Sequence, residues 1–206
     1  MMQTEQQLQI DEMISTEWEM FQQVQNIGGR ASCQDDFETF QIMRQSQYEN
    51  WSCEMLDCYL TFLRSCKEEG RNVVTEKYAR MMEYTDTAYY DQVLAPALPA
   101  VPKGNYRLVN EIVNQQLLWE KEFALRYPNL AAKSRPITAD GDESGFTSVE
   151  TYSRGELLTY PAELLQLYLD YVKRLAEDGK SLSLMIEDTM VKLYGYESIE
   201  EAEERA

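Results

Sequence analysis

Histidine is absent from the 206 residues. That absence removes imidazole general bases, His-based nucleophilic triads and every metal site with a histidine ligand. Any general base is then Asp, Glu, Lys, Tyr or Cys, and any metal would need carboxylates or thiolates. Cysteine is sparse: Cys33, Cys53, Cys58 and Cys66 occur, with no Cys-x-x-Cys pair. No stretch approaches the about 18 consecutive apolar residues of a spanning helix, so no membrane segment is expected. The opening MMQTEQQLQ has neither a basic nor an apolar region. No signal peptide is expected, and the cysteines read as reduced thiols of a cytoplasmic protein. Positive charge is also scarce: 19 Lys and Arg face 36 Asp and Glu, a net charge of −17. A surface of that sign repels nucleic-acid backbones and anionic membranes, so neither is an expected partner. It suits a solvated face or a basic partner. Alternating apolar–polar runs are missing as well, which excludes an obvious strand.

What is present is helical periodicity. Apolar residues are 44% of the chain, enough for a core. The expected fold is all-α, multi-helical, with nine or ten helices. Leu8, Met13, Trp18, Phe21 and Val24 recur at helical spacing, and Asn26-Ile27-Gly28-Gly29 stops that helix. Asp35 with Glu38 reads as a capping box opening a second helix, and Thr147 with Glu150 as another. A third helix covers about 51–69, with Cys53, Cys58 and Cys66 expected in the core, and a fourth about 73–84. Pro96, Pro99 and Pro102 predict a stiff extended connector. A sixth helix is expected over 108–127, then a long loop over 129–146. Helices follow near 147–157, 161–179 and 182–194, and the acidic tail reads as a loose final helix.

The chain also reads as one helical unit used twice. Glu38-Thr39-Phe40 matches Glu150-Thr151-Tyr152, and Tyr59-Leu60-Thr61-Phe62 matches Tyr168-Leu169-Asp170-Tyr171. Glu69-Gly70 falls on Asp178-Gly179, and Met81 on Met190, at the same spacing of 109. The expected organisation is a first half over 1–95, a connector over 96–104 and a second half over 105–206, forming one compact domain. Duplicated halves would pack about a pseudo-twofold axis. Arg30 would then be equivalent to Arg135 and Arg44 to Arg154, with all four facing a shared cleft.

Several residues are candidates for chemistry. Arg30, Asp35 and Asp36 crowd one loop beside Glu17. Arginine at a helix N-terminus suits an anion, although a cap and an ion pair explain the same residues. Cys33, between Arg30 and that helix start, would have a raised thiolate fraction, but no histidine exists to partner it. Glu17-Trp18-Glu19 and Trp119-Glu120-Lys121-Glu122 could supply carboxylates for a hard cation, yet these acids read as solvent-facing, and no metal or other cofactor is expected. Arg154 and Glu156 flank Gly155, a mid-helix glycine that costs about 1 kcal/mol against alanine. A close packing helix is the expected reason. Gly28-Gly29 lacks the preceding strand and the Lys-Ser/Thr of a phosphate loop.

The motifs EWEMFQQVQNIGGRASCQDDFETFQIMRQSQ, EKYARMME, WEKEFALRYPNLAAKSRPI and TSVETYSRGELLTY resemble an uncharacterised bacterial family, domain-of-unknown-function family 4125. The resemblance spans about 10–196. It implies a soluble bacterial protein, in some members joined to a nucleotidyltransferase-like domain, and it implies no activity. By position it singles out Glu17, Arg30, Gln34, Asp35, Asp36, Arg44, Arg135, Glu150 and Arg154. The expected function is binding of a small polar or anionic ligand in a cleft between the halves, by Glu17, Arg30, Asp36, Arg44, Arg135 and Arg154. The alternative is a non-catalytic interaction module, as a homodimer or as companion to a nucleotidyltransferase-like domain.

Overall fold

The computed structural model describes residues 4–26, 28–143 and 146–206. Ile27, expected in the turn after the first helix, lies outside the described residues. Eleven α-helices form among them: α1 Glu5–Gln22, α2 Phe37–Tyr48, α3 Cys53–Glu68, α4 Val73–Thr85, α5 Thr87–Tyr89, α6 Lys103–Arg126, α7 Pro128–Lys133, α8 Val149–Leu157, α9 Ala162–Glu177, α10 Leu182–Leu193 and α11 Ile199–Arg205. No strand forms among the described residues, only an isolated bridge between Glu143 and Phe146. The fold is all-α.

Side-chain caps start most of these helices. Ser52, Asn72, Ser181 and Ser198 each accept a hydrogen bond from the amide three residues on. Two expected caps are displaced by one residue. Asp36, not Asp35, accepts from Thr39 N and starts α2. Asp35 instead ends a 3-10 turn and takes Arg30 as partner. Likewise Ser148, not Thr147, caps α8, while the Thr147 oxygens are taken by Arg135. In both cases a nearby guanidinium removes one of two adjacent acceptors from the capping role.

Two further expectations are corrected. Pro128 ends α6 but also opens α7, where a loop was expected; a proline suits a first helical position. The free amides of Asn129 and Leu130 go to the Glu203 carboxylate on α11, each at 2.8 Å. That partner is more than 70 residues away, so no local pattern announces it. It also orders the acidic tail, whose Ile199 and Ala202 pack with Phe123, Tyr127 and Val191. Of the cysteines expected in the core, Cys66 is buried, Cys58 half-buried and Cys53 exposed.

α1 packs on α2, α3 and α4, while α6 packs on α8, α9 and α10. α4 crosses α8, α2 crosses α10, and α3 lies against α9. Gly155 permits the α4–α8 crossing. A Cβ there would sit 2.5 Å from Met81 Cγ and 3.0 Å from the Lys77 carbonyl oxygen. The chain turns at Tyr90–Leu94 and Ala95–Ala97, so the expected connector is extended only over 98–102 before α6 starts at Lys103. Buried Arg80 holds it by donating to the Pro99 carbonyl at 2.7 Å.

Candidate functional site

Glu17 lies on the face of α1 that also carries Ile10, Met13 and Ile14, and it is fully buried. Helical periodicity alone predicts a solvent-facing acid here; the packing of neighbouring helices buries it instead. Its carboxylate accepts from Tyr48 Oη and Tyr59 Oη, each at 2.6 Å, and from Arg44 at 3.1 Å. Arg44, on α2, also donates to Glu156 on α8 at 2.9 Å. Glu156 further accepts from Tyr160 Oη at 2.9 Å and from Lys77 Nζ at 2.5 Å. Two cations and two carboxylates thus form a buried chain across α1, α2, α4 and α8. A buried ion is tolerable only when charge and hydrogen bonds are both satisfied, and the tyrosines fill the remaining acceptor positions.

The electrostatics follow from that arrangement. Burial raises the pKa of Glu156, but Arg44 and Lys77 outweigh it and hold the carboxyl well below the usual range. Burial opposes the charge of Arg44, but Glu156 and Glu17 outweigh it and hold the pKa above the ordinary guanidinium value. Burial pushes the Tyr48, Tyr59 and Tyr160 hydroxyls well above their ordinary range. They remain donors.

Beside this chain opens a cavity of about 200 Å³. Arg44 and Gln47 from α2, Lys77 and Tyr78 from α4 and Tyr152 from α8 reach its wall. So does Arg135, from the segment between α7 and α8. Lys77 Nζ sits 3.6 Å from the centre of the Tyr152 ring. The Arg135 guanidinium lies 5.1 Å from the Tyr152 ring and 5.6 Å from the Phe146 ring. It donates from Nη1 to Thr147 O and Oγ1. No carboxylate of the described residues forms an ion pair with it.

Of the residues selected from sequence, Arg44, Arg135 and Asp36 line this cavity, and Glu17 stands behind Arg44. Arg30 lies elsewhere. It bonds Asp35, Gln22 and the Gln34 carbonyl, fastening the loop after α1. In that loop buried Gln34 donates to the carbonyls of Phe21 and Val24, which explains its place in the motif without a ligand. Arg154 bonds Glu150 at 3.0 Å and Asn110 at 2.5 Å, tying α8 to α6. The resemblance between Arg44 and Arg154 is therefore not one of environment. Sequence reasoning missed Lys77, although a signal existed: it lies three residues after Val74 and four before Met81, on a buried stripe.

A second cavity, of about 380 Å³, shares Arg135 and Met43 with the first as lining residues. Glu120 of α6 and Glu187 of α10 line it. Burial and then the charge of Glu120 raise Glu187 to about 7. Burial also raises Glu120, opposed by a hydrogen bond from Ser183. A carboxyl whose folded pKa is raised favours the folded state at low pH. That contribution is present below the unfolded value of about 4.3 and is lost as pH rises toward 7. Glu187→Gln is therefore expected to raise the melting temperature at pH 8 and leave it nearly unchanged at pH 4, by calorimetry. Equal shifts at both pH values would contradict this burial argument.

No helix among the described residues is long and apolar enough to cross a membrane. No curated protein and no solved structure matches the chain. The family described as "Protein of unknown function (DUF4125)" has a model that matches residues 7–204. With that match over nearly the whole chain, from α1 into α11, the protein belongs to the DUF4125 family.

Proposed function

We propose that the 200 Å³ cavity holds a small organic anion, between residues from both sides of the proline connector. Arg135 and Lys77 face its charged group, and Tyr78, Tyr152 and Phe40 its apolar body. The observation that carries this reading is Arg135. It is a cation without a carboxylate partner among the described residues, held against two rings in the wall of a cavity. Arg44 and Lys77 are neutralised by Glu17 and Glu156, so Arg135 is the cation left over for a ligand. Asp36 also reaches the wall, but its carboxylate is engaged by the start of α2.

Titration calorimetry with phenyl phosphate and benzoate tests the proposal. Loss of one charge-assisted hydrogen bond costs about 1.5–3 kcal/mol, so Arg135→Ala is expected to weaken binding roughly 10- to 100-fold. Cys33, also in the wall, is expected to be alkylated more slowly when an anion is bound. Absence of binding by either anion, or binding unchanged in Arg135→Ala, would sink the reading. A stable dimer in which Cys33 is protected without ligand would favour the interaction module instead.

We also infer that the halves descend from one four-helix unit, with α1, α2, α3 and α4 answering to α6, α8, α9 and α10. Packing supports it: exchanging the two sets leaves the pattern of helix neighbours unchanged. Gly70 and Gly179 support it too, with φ of 70° and 67°. The amide after each returns to the helix end, Arg71 N to Cys66 O and Lys180 N to Leu175 O, both at 2.8 Å. Ile10, Met13 and Ile14 answer to Val109, Ile112 and Val113, all buried. An experimental structure whose two halves failed to superpose in this order would end the inference.

A further inference from the structure

Under that correspondence the two cavities answer to each other. Phe21 of the first cavity falls on Glu120, and Tyr78 on Glu187. Arg44 falls on Ser153, one residue before the Arg154 expected from the sequence, Lys77 on Ile186 and Val74 on Ser183. The register within α2 and α8 is taken from their C-terminal ends, since α2 has 12 residues and α8 has 9. It places Ser46 on Gly155, and both are buried small residues, Ser46 on the helix that crosses α10 and Gly155 on the helix that crosses α4. At the corresponding positions the second cavity thus lacks Arg44 and Lys77, although it shares Arg135 with the first, and it has carboxyls in place of two of the first cavity's rings.

We propose that the second cavity takes a small organic cation, a protonated amine with an apolar body, between Glu120 and Glu187. The pairing of cavities rests on the duplication inferred above; the site itself rests on its own geometry. Glu120 and Glu187 interact with each other and form no ion pair with a described residue. Lys133 and Arg135 reach the same wall, but neither forms an ion pair with Glu120 or Glu187. A third acceptor points the same way. Gln116 also lines that wall; its buried Oε1 receives no hydrogen bond from the described residues, while its amide nitrogen donates to Tyr168 Oη at 3.1 Å. Glu187 and the Gln116 oxygen have no donor among the described residues, and Glu120 has only the Ser183 hydroxyl, so a donor of positive charge is the missing partner. The apolar part of the wall, Phe123, Leu182, Ile186 and Met190, suits a hydrocarbon body rather than a hydrated metal ion. The raised carboxyls agree: a monovalent ammonium needs only one of the pair ionised, and its entry favours loss of the proton from Glu187.

The test is titration calorimetry of the full chain with phenethylamine near pH 7, in two buffers of different ionisation enthalpy. Binding is expected with release of a proton, and Glu187→Gln is expected to weaken it by at least about tenfold. Ile186→Lys supplies the cation that Lys77 supplies in the first cavity, and it is expected to abolish amine binding while satisfying the carboxyls. Both variants should keep phenyl phosphate binding, because neither residue lines the first cavity. Amine binding unchanged in Glu187→Gln and in Ile186→Lys would overturn the proposal. So would no binding of phenethylamine by the wild type, or binding of calcium or magnesium alone. Loss of phenyl phosphate binding with amine binding intact would sink the anion site and leave this one standing.

Discussion

Glu156→Ala is expected to destabilise the protein by about 3–5 kcal/mol, the usual cost of stranding buried charge. The carboxylate is the counter-charge of both Arg44 and Lys77, whose side chains are 8% and 4% exposed. Its removal leaves Lys77 without an ion pair and Arg44 with Glu17 alone, and it takes the acceptor from Tyr160 Oη. With total stabilities of about 5–15 kcal/mol, that loss brings the protein near unfolding at ordinary temperature. Glu156→Gln, which keeps an acceptor oxygen, is expected to cost less. Lys77→Met in the Ala background should recover part of the loss, since it removes the stranded ammonium. Urea unfolding of the four proteins measures these differences. A cost below about 1 kcal/mol for Glu156→Ala would place the pair among weakly coupled surface charges and refute the account.

The same carboxyl sets a pH dependence. Its folded pKa is lowered by Arg44 and Lys77 against the pull of burial. A lowered carboxyl contributes stability above the unfolded value of about 4.3, and that contribution is lost as pH falls further. Glu187 acts in the opposite direction, with its cost appearing as pH rises toward about 7. The excess of acidic residues adds self-repulsion at high pH. Stability is therefore expected to fall on both sides of mildly acidic pH. Glu156→Gln should flatten the acid limb and Glu187→Gln the alkaline one.

Trp51→Ala is the second change expected to act strongly, at about 3–5 kcal/mol for a buried aromatic truncated to alanine. The indole is 4% exposed, between α2 and α3. Its ring lies 5.1 Å from Tyr48 and 5.6 Å from Tyr59 in the first half. It also lies 6.2 Å from Tyr160 and 5.6 Å from Tyr168 in the second. Aromatic pairs at such distances add about 0.5–1.5 kcal/mol beyond burial. Truncation leaves a void where the halves meet and loosens Tyr48, Tyr59 and Tyr160, which fix the two carboxylates. Trp51→Ala should therefore also weaken anion binding in the adjacent cavity, whereas Trp51→Phe should largely preserve it. Thermal unfolding with and without phenyl phosphate separates the two effects. A fully stable Trp51→Ala protein would show that the ring cluster does not join the halves.

Local chemistry was legible in the residues themselves. Apolar spacing and the glycine after α3 and α9 act over a few residues, so they can be read without knowing the fold. The close crossing at Gly155 was legible for the same reason, since a glycine inside a helix needs a neighbour to justify it. The choice between adjacent caps, Asp35 or Asp36 and Thr147 or Ser148, was not, because Arg30 and Arg135 decide it from outside the local window.

The charged site was decided by tertiary structure. Glu17 and Arg44 stand 27 positions apart, and Arg44 and Glu156 stand 112 apart. A charged residue on an amphipathic helix reads as solvent-facing until another helix covers it. Burial of Glu17, Arg44, Lys77 and Glu156 depends on four helices meeting at one point and satisfying one another, and periodicity in a single helix carries no record of that meeting. The charge of a side chain is written in the sequence, but whether it is hydrated, paired or left free for a ligand depends on what packs against it.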